Sequence, residues 1–366
     1  MKYLDKQGMI DLLYGCTVLG TGGGGGLEEA LVMMEPHFKA NDRVKVVSLE
    51  ELPDDEYVAT PYGVGPPMPV GGVELPEKFR HLERYNDSPA VLAFEELQKY
   101  MGKKFFAVSA TELGGLNVAA ILHIACLYDI AIVDADPTGR SVPELQHSTY
   151  YLNNVPIAPM GIATEFGEVA ILSKVADDCR AEDLVRAMSV ASNDLVGVVD
   201  HPTTGAIYKK SVIPNTISYA TKIGEILRLA KENGQDVAQN IAEQADGAIL
   251  FKGVLKDMPW DKVDGFNVGE MHLDGVGDFA GNTYKIWFKN ENLIAYKNGE
   301  VLATCPDLIC AIDNDGTPVT NPDAKIGMEI SFVLLPSPKE WQTKEGLDCF
   351  GPKYFGFDIE YTPYIK

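Results

Sequence analysis

Cysteine is scarce in this chain: Cys16, Cys126, Cys179, Cys305, Cys310 and Cys349 are scattered over 366 positions. So sparse and irregular a set cannot be the framework of a disulfide-stapled domain. Neither a CxxC pair nor an HExxH helix occurs, which removes ribbon-type structural zinc and the common zinc-protease motif. No run of about 18 apolar residues is present to cross a membrane. Asp5 and Asp11 interrupt the amino-terminal hydrophobic positions that a secretion signal needs unbroken. A cytoplasmic protein with free thiols is therefore expected. Positive charge is in deficit as well, with 31 Lys+Arg against 53 Asp+Glu and a formal charge of -22. Such a surface repels phosphate backbones and anionic lipid, so nucleic acid and membrane are not expected partners.

What is present is the composition of an ordinary folded protein, 46% hydrophobic and 23% charged. The length is more than twice the roughly 150 residues of a typical domain, so two domains are expected. Helical patterns over Leu4–Leu19, Leu27–Phe38, Ala90–Met101 and Leu116–Tyr128 alternate with short apolar runs at Val44–Leu49, Tyr57–Thr60, Lys104–Ala110 and Ile130–Val133. That alternation predicts an α/β domain with a mostly parallel sheet over residues 1–245. After Gly247 the helical period vanishes. Short β-rich pieces follow, separated by Asp264-Gly265, Asp274-Gly275, Asn298-Gly299 and Asp315-Gly316, which predict turns in a β-rich domain over 246–350. Residues 351–366 form a tail that returns to the first domain or stays with the second.

Three stretches carry candidate chemistry. Gly20–Gly26 holds six glycines in seven positions between two helices, an entropic cost that a plain connector has no need to incur. Gly22, Gly23, Gly24 and Gly25 are candidate substrate contacts, their amides cradling an anion at the start of the next helix; the alternative is a flexible or close-packed connection. No Lys-Ser/Thr follows, and the run is entered from a helix, so neither a P-loop nor a dinucleotide fingerprint applies. A second glycine hinge at Gly114-Gly115 follows a predicted strand, where open α/β sheets place ligands, and makes Glu112 and Asn117 pocket candidates. Helix capping by Thr111 or Asn117 is the competing role.

The third stretch, Asp134 to Gln146, puts Asp134 and Asp136 at a strand end, Arg140 in a turn and Glu144 in the first turn of an expected helix. Converging carboxylates beside a guanidinium bind a divalent metal, activate water, or form a structural ion-pair network. Asp134, Asp136 and Glu144 are the catalytic candidates. Asp134, Asp136, His201 and His272 are the candidate ligands of a divalent cation, the two histidines because each lies beside an acid.

The glycine run, Asp134–Gln146, Lys289-Asn290-Glu291-Asn292-Leu293, Cys305-Pro306-Asp307-Leu308-Ile309 and Gly351-Pro352-Lys353-Tyr354-Phe355-Gly356 together resemble the S-methyl-thiohydantoin desulfurase family, long grouped with hydantoinase/oxoprolinase genes. The resemblance covers essentially the whole chain. It implies an α/β domain joined to a β-rich one, and hydrolytic desulfurisation of a five-membered thiohydantoin-like ring. In that scheme Asp134, Asp136 and Glu144 supply the base or metal ligands, the glycine amides the donors, and Arg140 a clamp for a substrate carboxylate. A non-catalytic accessory protein of a hydantoinase system, or a hydantoin-ring hydrolase, are the alternatives. The expected partner is a small-molecule substrate, with self-association into a homo-oligomer as the protein contact considered. No nucleotide, flavin or pyridoxal phosphate signature is visible.

Overall fold

A computed structural model describes residues 2–66 and 74–364; the Gly- and Pro-rich composition of Gly63–Gly72 predicts a loop, part of which lies outside them. The first domain opens with β1 (Lys2–Leu4) and α1 (Lys6–Leu19), whose start is fixed by the Asp5 carboxylate accepting from the Gly8 amide. Then come α2 (Leu27–Ala40), β2 (Val44–Val47), β3 (Tyr57–Val64), α3 (Pro89–Met101), β4 (Ala107–Val108), α4 (Gly115–Tyr128) and β5 (Ala131–Val133). Strands β2, β5, β4 and β3 run parallel in that spatial order; α3 and α4 carry the chain back from β3 to β4 and from β4 to β5, while a loop joins β2 to β3.

The sheet is mixed beyond that core. The ribbon β6 (Ala135–Asp136) leaves the sheet to pair with β10 (Ile213–Pro214). Strands β7 (Met160–Thr164), β8 (Val169–Leu172) and β9 (Val196–Thr204) extend the sheet past β3 in the order β9-β7-β8, every contact antiparallel. Helices α5 (Thr149–Leu152), α6 (Asp178–Ala191), α7 (Gly205–Tyr208), α8 (Thr216–Glu232) and α9 (Val237–Gln244) complete the domain.

The second domain is an antiparallel sheet: β11 (Ala248–Asp257), β12 (Trp260–Val263), β13 (Phe266–Gly275), β14 (Thr283–Lys289), β15 (Glu291–Lys297), β16 (Glu300–Thr304), β17 (Leu308–Asp313) and β18 (Glu329–Leu335). Its order is β16-β15-β14-β13-β11-β18-β17, with β12 beside β13. The sheet curls until the Asn292 side chain donates to the Ile309 carbonyl across 3.1 Å. Asp264-Gly265 and Asn298-Gly299 turn the chain with positive φ at both residues, as two-residue hairpins require. Asp274-Gly275, expected as a turn, is instead the end of β13: Asp274 pairs with Val254 on one side and Thr283 on the other, and that two-sided ladder overrides the local turn preference.

The domains share a core. Leu308, Cys310, Ile312, Val333 and Leu335 of β17 and β18 are buried in the same apolar cluster as Leu12, Cys16 and Leu19 of α1 and Ile223 and Leu227 of α8. The interface is thus closed by hydrophobic burial on one side. On the other side it leaves a polar cleft.

Candidate active site at the domain junction

The glycine run builds one wall. Gly22, Gly24 and Gly25 have φ of +94°, +72° and +82°, a region that side chains rarely enter. The backbone is also crowded: a Cβ on Gly24 would lie 2.3 Å from the Gly114 Cα, and one on Gly23 1.8 Å from Glu291 Oε1. The Gly24 carbonyl accepts from the Leu116 and Asn117 amides at the start of α4, at 3.2 and 3.4 Å. From the second domain, Asn292 N–H donates to the Thr21 carbonyl at 2.7 Å and Asn321 N–H to that of Gly22 at 2.8 Å. The run is therefore a packed three-way joint between α1, α4 and the second sheet. Gly24→Ala should lower stability by more than about 1 kcal/mol, and by more than Gly234→Ala, whose φ is also positive but whose surroundings are open. Denaturant midpoints compare the two; equal losses would mean that the close approach to Gly114 contributes nothing.

Beside this wall lies a cleft of about 400 Å³ whose lining includes Gly24, Gly25, Gly26, Glu112, Asn117, Glu144, His147, Arg186, Asn290 and Glu291. Glu112 accepts from the Val142 amide at 2.8 Å and the Asn117 side chain at 2.7 Å, and Asn117 accepts from Gly63 N–H at 3.0 Å. Burial raises the Glu112 carboxyl above its ordinary value despite those bonds. Glu291 is raised much further, first by burial and then by the charge of Glu112, and its Oε2 has no hydrogen-bond partner. Glu144 goes the other way. Burial alone would lift it, but the Lys289 ammonium beside it and the Tyr354 hydroxyl, 2.6 Å away, together hold its carboxyl below the ordinary range. His147 is pushed down to about 3 by burial, so its ring is neutral, and both ring nitrogens lack partners. Arg186 donates to Glu182 at 2.7 Å and to the Pro143 carbonyl at 3.3 Å, while its buried Nη1 is unpartnered. Buried polar atoms without partners are uncommon, and here Glu291, His147 and Arg186 concentrate them on one cleft.

Of the residues expected from sequence, Gly24, Gly25, Glu112, Asn117 and Glu144 meet in this cleft. Gly22 and Gly23 lie behind it, against Asn321 and Glu291. Asp134 and Asp136 do not share a face: Asp134 accepts from the backbone and hydroxyl of Ser218 at 2.8 and 2.5 Å, capping the first turn of α8. Asp136 is fully buried and accepts from Thr138 N–H and Oγ1–H and from Gly139 N–H, which closes its own turn; burial lifts it to about 6. Arg140 faces the interior rather than the cleft, donating to the carbonyls of Ser141, Pro306 and Asp307 and to Thr21 Oγ1. The expected helix at Glu144 is absent; residues 141–148 are irregular and α5 begins at Thr149, because the segment is held by side chains from the second domain. His201, at φ +42° in a bulge of β9, is clasped between Asp178 at 3.3 Å and Asp200 at 3.0 Å, and His272 pairs with Glu270 on the surface of β13. None of the four candidate metal ligands lines the cleft, and among the described residues no three of them bring their ligand atoms together.

A glycine-jointed α/β domain closed against a curled antiparallel sheet, with an acid-lined cleft between them, defines a two-domain architectural class. Family models identify its members: the chain matches "S-Me-THD-like, N-terminal domain" over residues 7–174 and "S-Me-THD-like, C-terminal domain" over 176–364. It belongs to the S-methyl-thiohydantoin desulfurase-like family. No functionally curated protein matches the sequence. Among solved structures, the X-ray structure of a protein from Chromobacterium violaceum, Northeast Structural Genomics Consortium target CvR68, is similar in fold: TM-score 0.78 at 21% identity, covering 99% of this chain and 100% of that one. Among the described residues no helix is long and apolar enough to cross a membrane.

Proposed function

We propose that the junction cleft hydrolyses the carbon–sulfur bond of a thiohydantoin-type ring. The observation that carries this reading is the divergence of two carboxyls on one cleft, Glu144 held below its ordinary value by Lys289 and Tyr354 and Glu291 raised well above it by burial. A pair separated in this way supplies a base and an acid in the same site at neutral pH. Water, deprotonated by Glu144, adds to the sp² carbon that bears sulfur. That proton passes from Glu144 to the ring nitrogen, and the tetrahedral adduct expels the S-methyl group as methanethiol, its sulfur protonated by Glu291; the adduct hydroxyl gives its proton to Glu291 as the carbon becomes a carbonyl, leaving the hydantoin with both carboxyls restored. For an unsubstituted thione the same steps release hydrogen sulfide. The amides of Gly24–Gly26 and the neutral His147 ring are donors for charge developing on the adduct. Arg186 Nη1 takes over the clamp role expected of Arg140, holding a carbonyl or carboxylate of the substrate. A divalent cation would have to be held by cleft residues other than Asp134, Asp136, His201 and His272.

The test is direct. Purified protein is incubated with an S-methyl-thiohydantoin, released thiol is followed with a chromogenic disulfide, and the ring product is weighed by mass spectrometry. Methanethiol and an intact hydantoin are expected. Ring opening with sulfur retained would make the protein a hydantoin-ring hydrolase, and binding without turnover would make it an accessory protein; either outcome removes the desulfurase reading. Arg186→Met should raise KM about tenfold or more with a smaller change in kcat, since a clamp present in both ground and transition states is uniform binding. Unchanged KM would take Arg186 out of the substrate site.

A further inference from the structure

Away from the cleft lining, the carboxyl end of α2 meets α4 in a line of four polar side chains. His37 sits in the last turn of α2. Asn41 closes that helix in the left-handed conformation, φ +57°, and the Asp42 amide returns to the His37 carbonyl at 3.0 Å. This turn sets the Asp42 carboxylate 2.7 Å from His37 Nδ1. On α4, His123 and Cys126 are three residues apart and share a face. His123 Nδ1 lies 2.8 Å from His37 Nε2, and His123 Nε2 lies 2.7 Å from Asp87 Oδ1. The ligand atoms of His37, Asp42 and Cys126 all fall within 4.8 Å of one another.

Each of the three short contacts in the line Asp42–His37–His123–Asp87 needs one positive hydrogen between its two heavy atoms. Two neutral imidazoles bring two N–H groups. One contact is therefore left with lone pair against lone pair unless a further positive charge enters the line. The His37–Asp42 contact is the one flanked by a third donor atom, the Cys126 sulfur. We propose that a borderline divalent cation of the Zn2+ class binds there, coordinated by His37 Nδ1, the Asp42 carboxylate and the Cys126 thiolate. With the cation in place the two N–H groups suffice: His37 Nε2–H donates to His123 Nδ1, and His123 Nε2–H donates to Asp87. That is the outer-shell arrangement by which imidazole ligands are oriented and made more basic. Nitrogen, sulfur and oxygen in one set suit Zn2+ rather than Mg2+ or Ca2+, and three protein ligands leave a fourth position for water. Without a cation, burial and the Asp42 charge push the Cys126 thiol up to about 12; binding expels that proton, so affinity rises with pH. The site is independent of the chemistry proposed for the cleft.

The experiment uses the full chain, stripped with a chelator and titrated with Co2+. One equivalent is expected to bind with a thiolate-to-cobalt charge-transfer band in the near ultraviolet, and Zn2+ should displace it. Cys126→Ser should abolish the band, whereas Cys179→Ser, at the exposed cysteine, should keep it. Asp42→Asn and His123→Gln should weaken Co2+ binding about tenfold or more, and Asp42, on a half-exposed turn, provides the test if the Cys126 variant does not fold. A band that survives Cys126→Ser, disappears in Cys179→Ser, or never forms in the unmodified chain overturns the proposal; in the last case an extra proton, not a metal, completes the line.

Discussion

Glu291→Gln should reduce kcat for S-methyl-thiohydantoin hydrolysis by about 10²–10⁴-fold, the range expected when a general acid is lost, while leaving the melting temperature nearly unchanged. The stability half follows from burial, which raises this carboxyl well above its ordinary value and so favours the neutral form, close in shape and polarity to the amide that replaces it. The activity half follows because Gln cannot release a proton to the departing sulfur. Glu144→Gln should cost a similar factor, because the amide cannot take a proton from water. Together the two carboxyls predict a bell-shaped pH profile. Activity should fall on the acid side as pH drops through the lowered value of Glu144, and on the alkaline side as it rises through the raised value of Glu291. Lys289→Met, which removes the cation beside Glu144, should move the acid limb upward. An S-aryl analogue, whose thiolate leaves without protonation, should lose less than the S-methyl compound in Glu291→Gln. Retention of full turnover in that variant, with the S-methyl compound, would end the acid assignment.

The opposed environments of these two carboxyls were only half legible in the sequence. Glu144 stood in the Asp134–Gln146 stretch, but Pro143-Glu144-Leu145-Gln146 reads locally as a helix start. What holds it irregular is Lys289, 145 positions away, and Tyr354, 210 away, contacts that no local pattern encodes. Glu291, Lys289 and Tyr354 all lay in stretches that supported the family resemblance, yet nothing in their spacing shows that they converge. Arg186 and His147 carried no signal at all; an arginine on a helix and a histidine in a loop acquire meaning only when burial leaves their nitrogens without partners. The glycine run was legible for the opposite reason: the cost of glycine is local, and so is the positive φ that it serves.

The fold follows the same rule. The parallel half of the first sheet was visible because α3 and α4, which carry the chain from β3 to β4 and from β4 to β5, are long enough to show their period. Its antiparallel half was harder to see, since Met160–Thr164 is short and built largely of small residues, with its pairing to β9 set from outside. Asp134 and Asp136 show the limit of the period-two argument. Alternation places both on one face only if the strand continues, and here β5 ends at Val133, so each carboxylate turns to its own backbone donors.

Arg140→Met should destabilise the protein by about 3–5 kcal/mol, the scale on which broken buried charged networks fall. Arg140 is fully buried, and burial draws its guanidinium below the ordinary value. It is tolerated because every arm is used: Nε on the Ser141 carbonyl at 2.9 Å, Nη1 on the Pro306 and Asp307 carbonyls at 2.8 and 2.9 Å, Nη2 on Thr21 Oγ1 at 2.8 Å. The ring of Phe350 adds a cation–π contact with its centroid 5.0 Å away. Methionine fills much of the volume but leaves four acceptors without donors in the interior, each worth about 1–3 kcal/mol, partly offset by removing a buried charge. Lysine keeps the charge with three donors on a single nitrogen, too compact to reach acceptors on the first domain, the glycine run and the second domain together. Arg140→Lys should therefore fall between wild type and Arg140→Met in denaturant midpoint. The same four acceptors span both domains and the glycine joint, so Arg140→Met should also admit faster amide exchange at Thr21 and Asp307 than at the centre of β14. A methionine variant as stable as wild type, with exchange unchanged at the joint, would show that the apolar cluster of α1, α8, β17 and β18 holds the domains together without it.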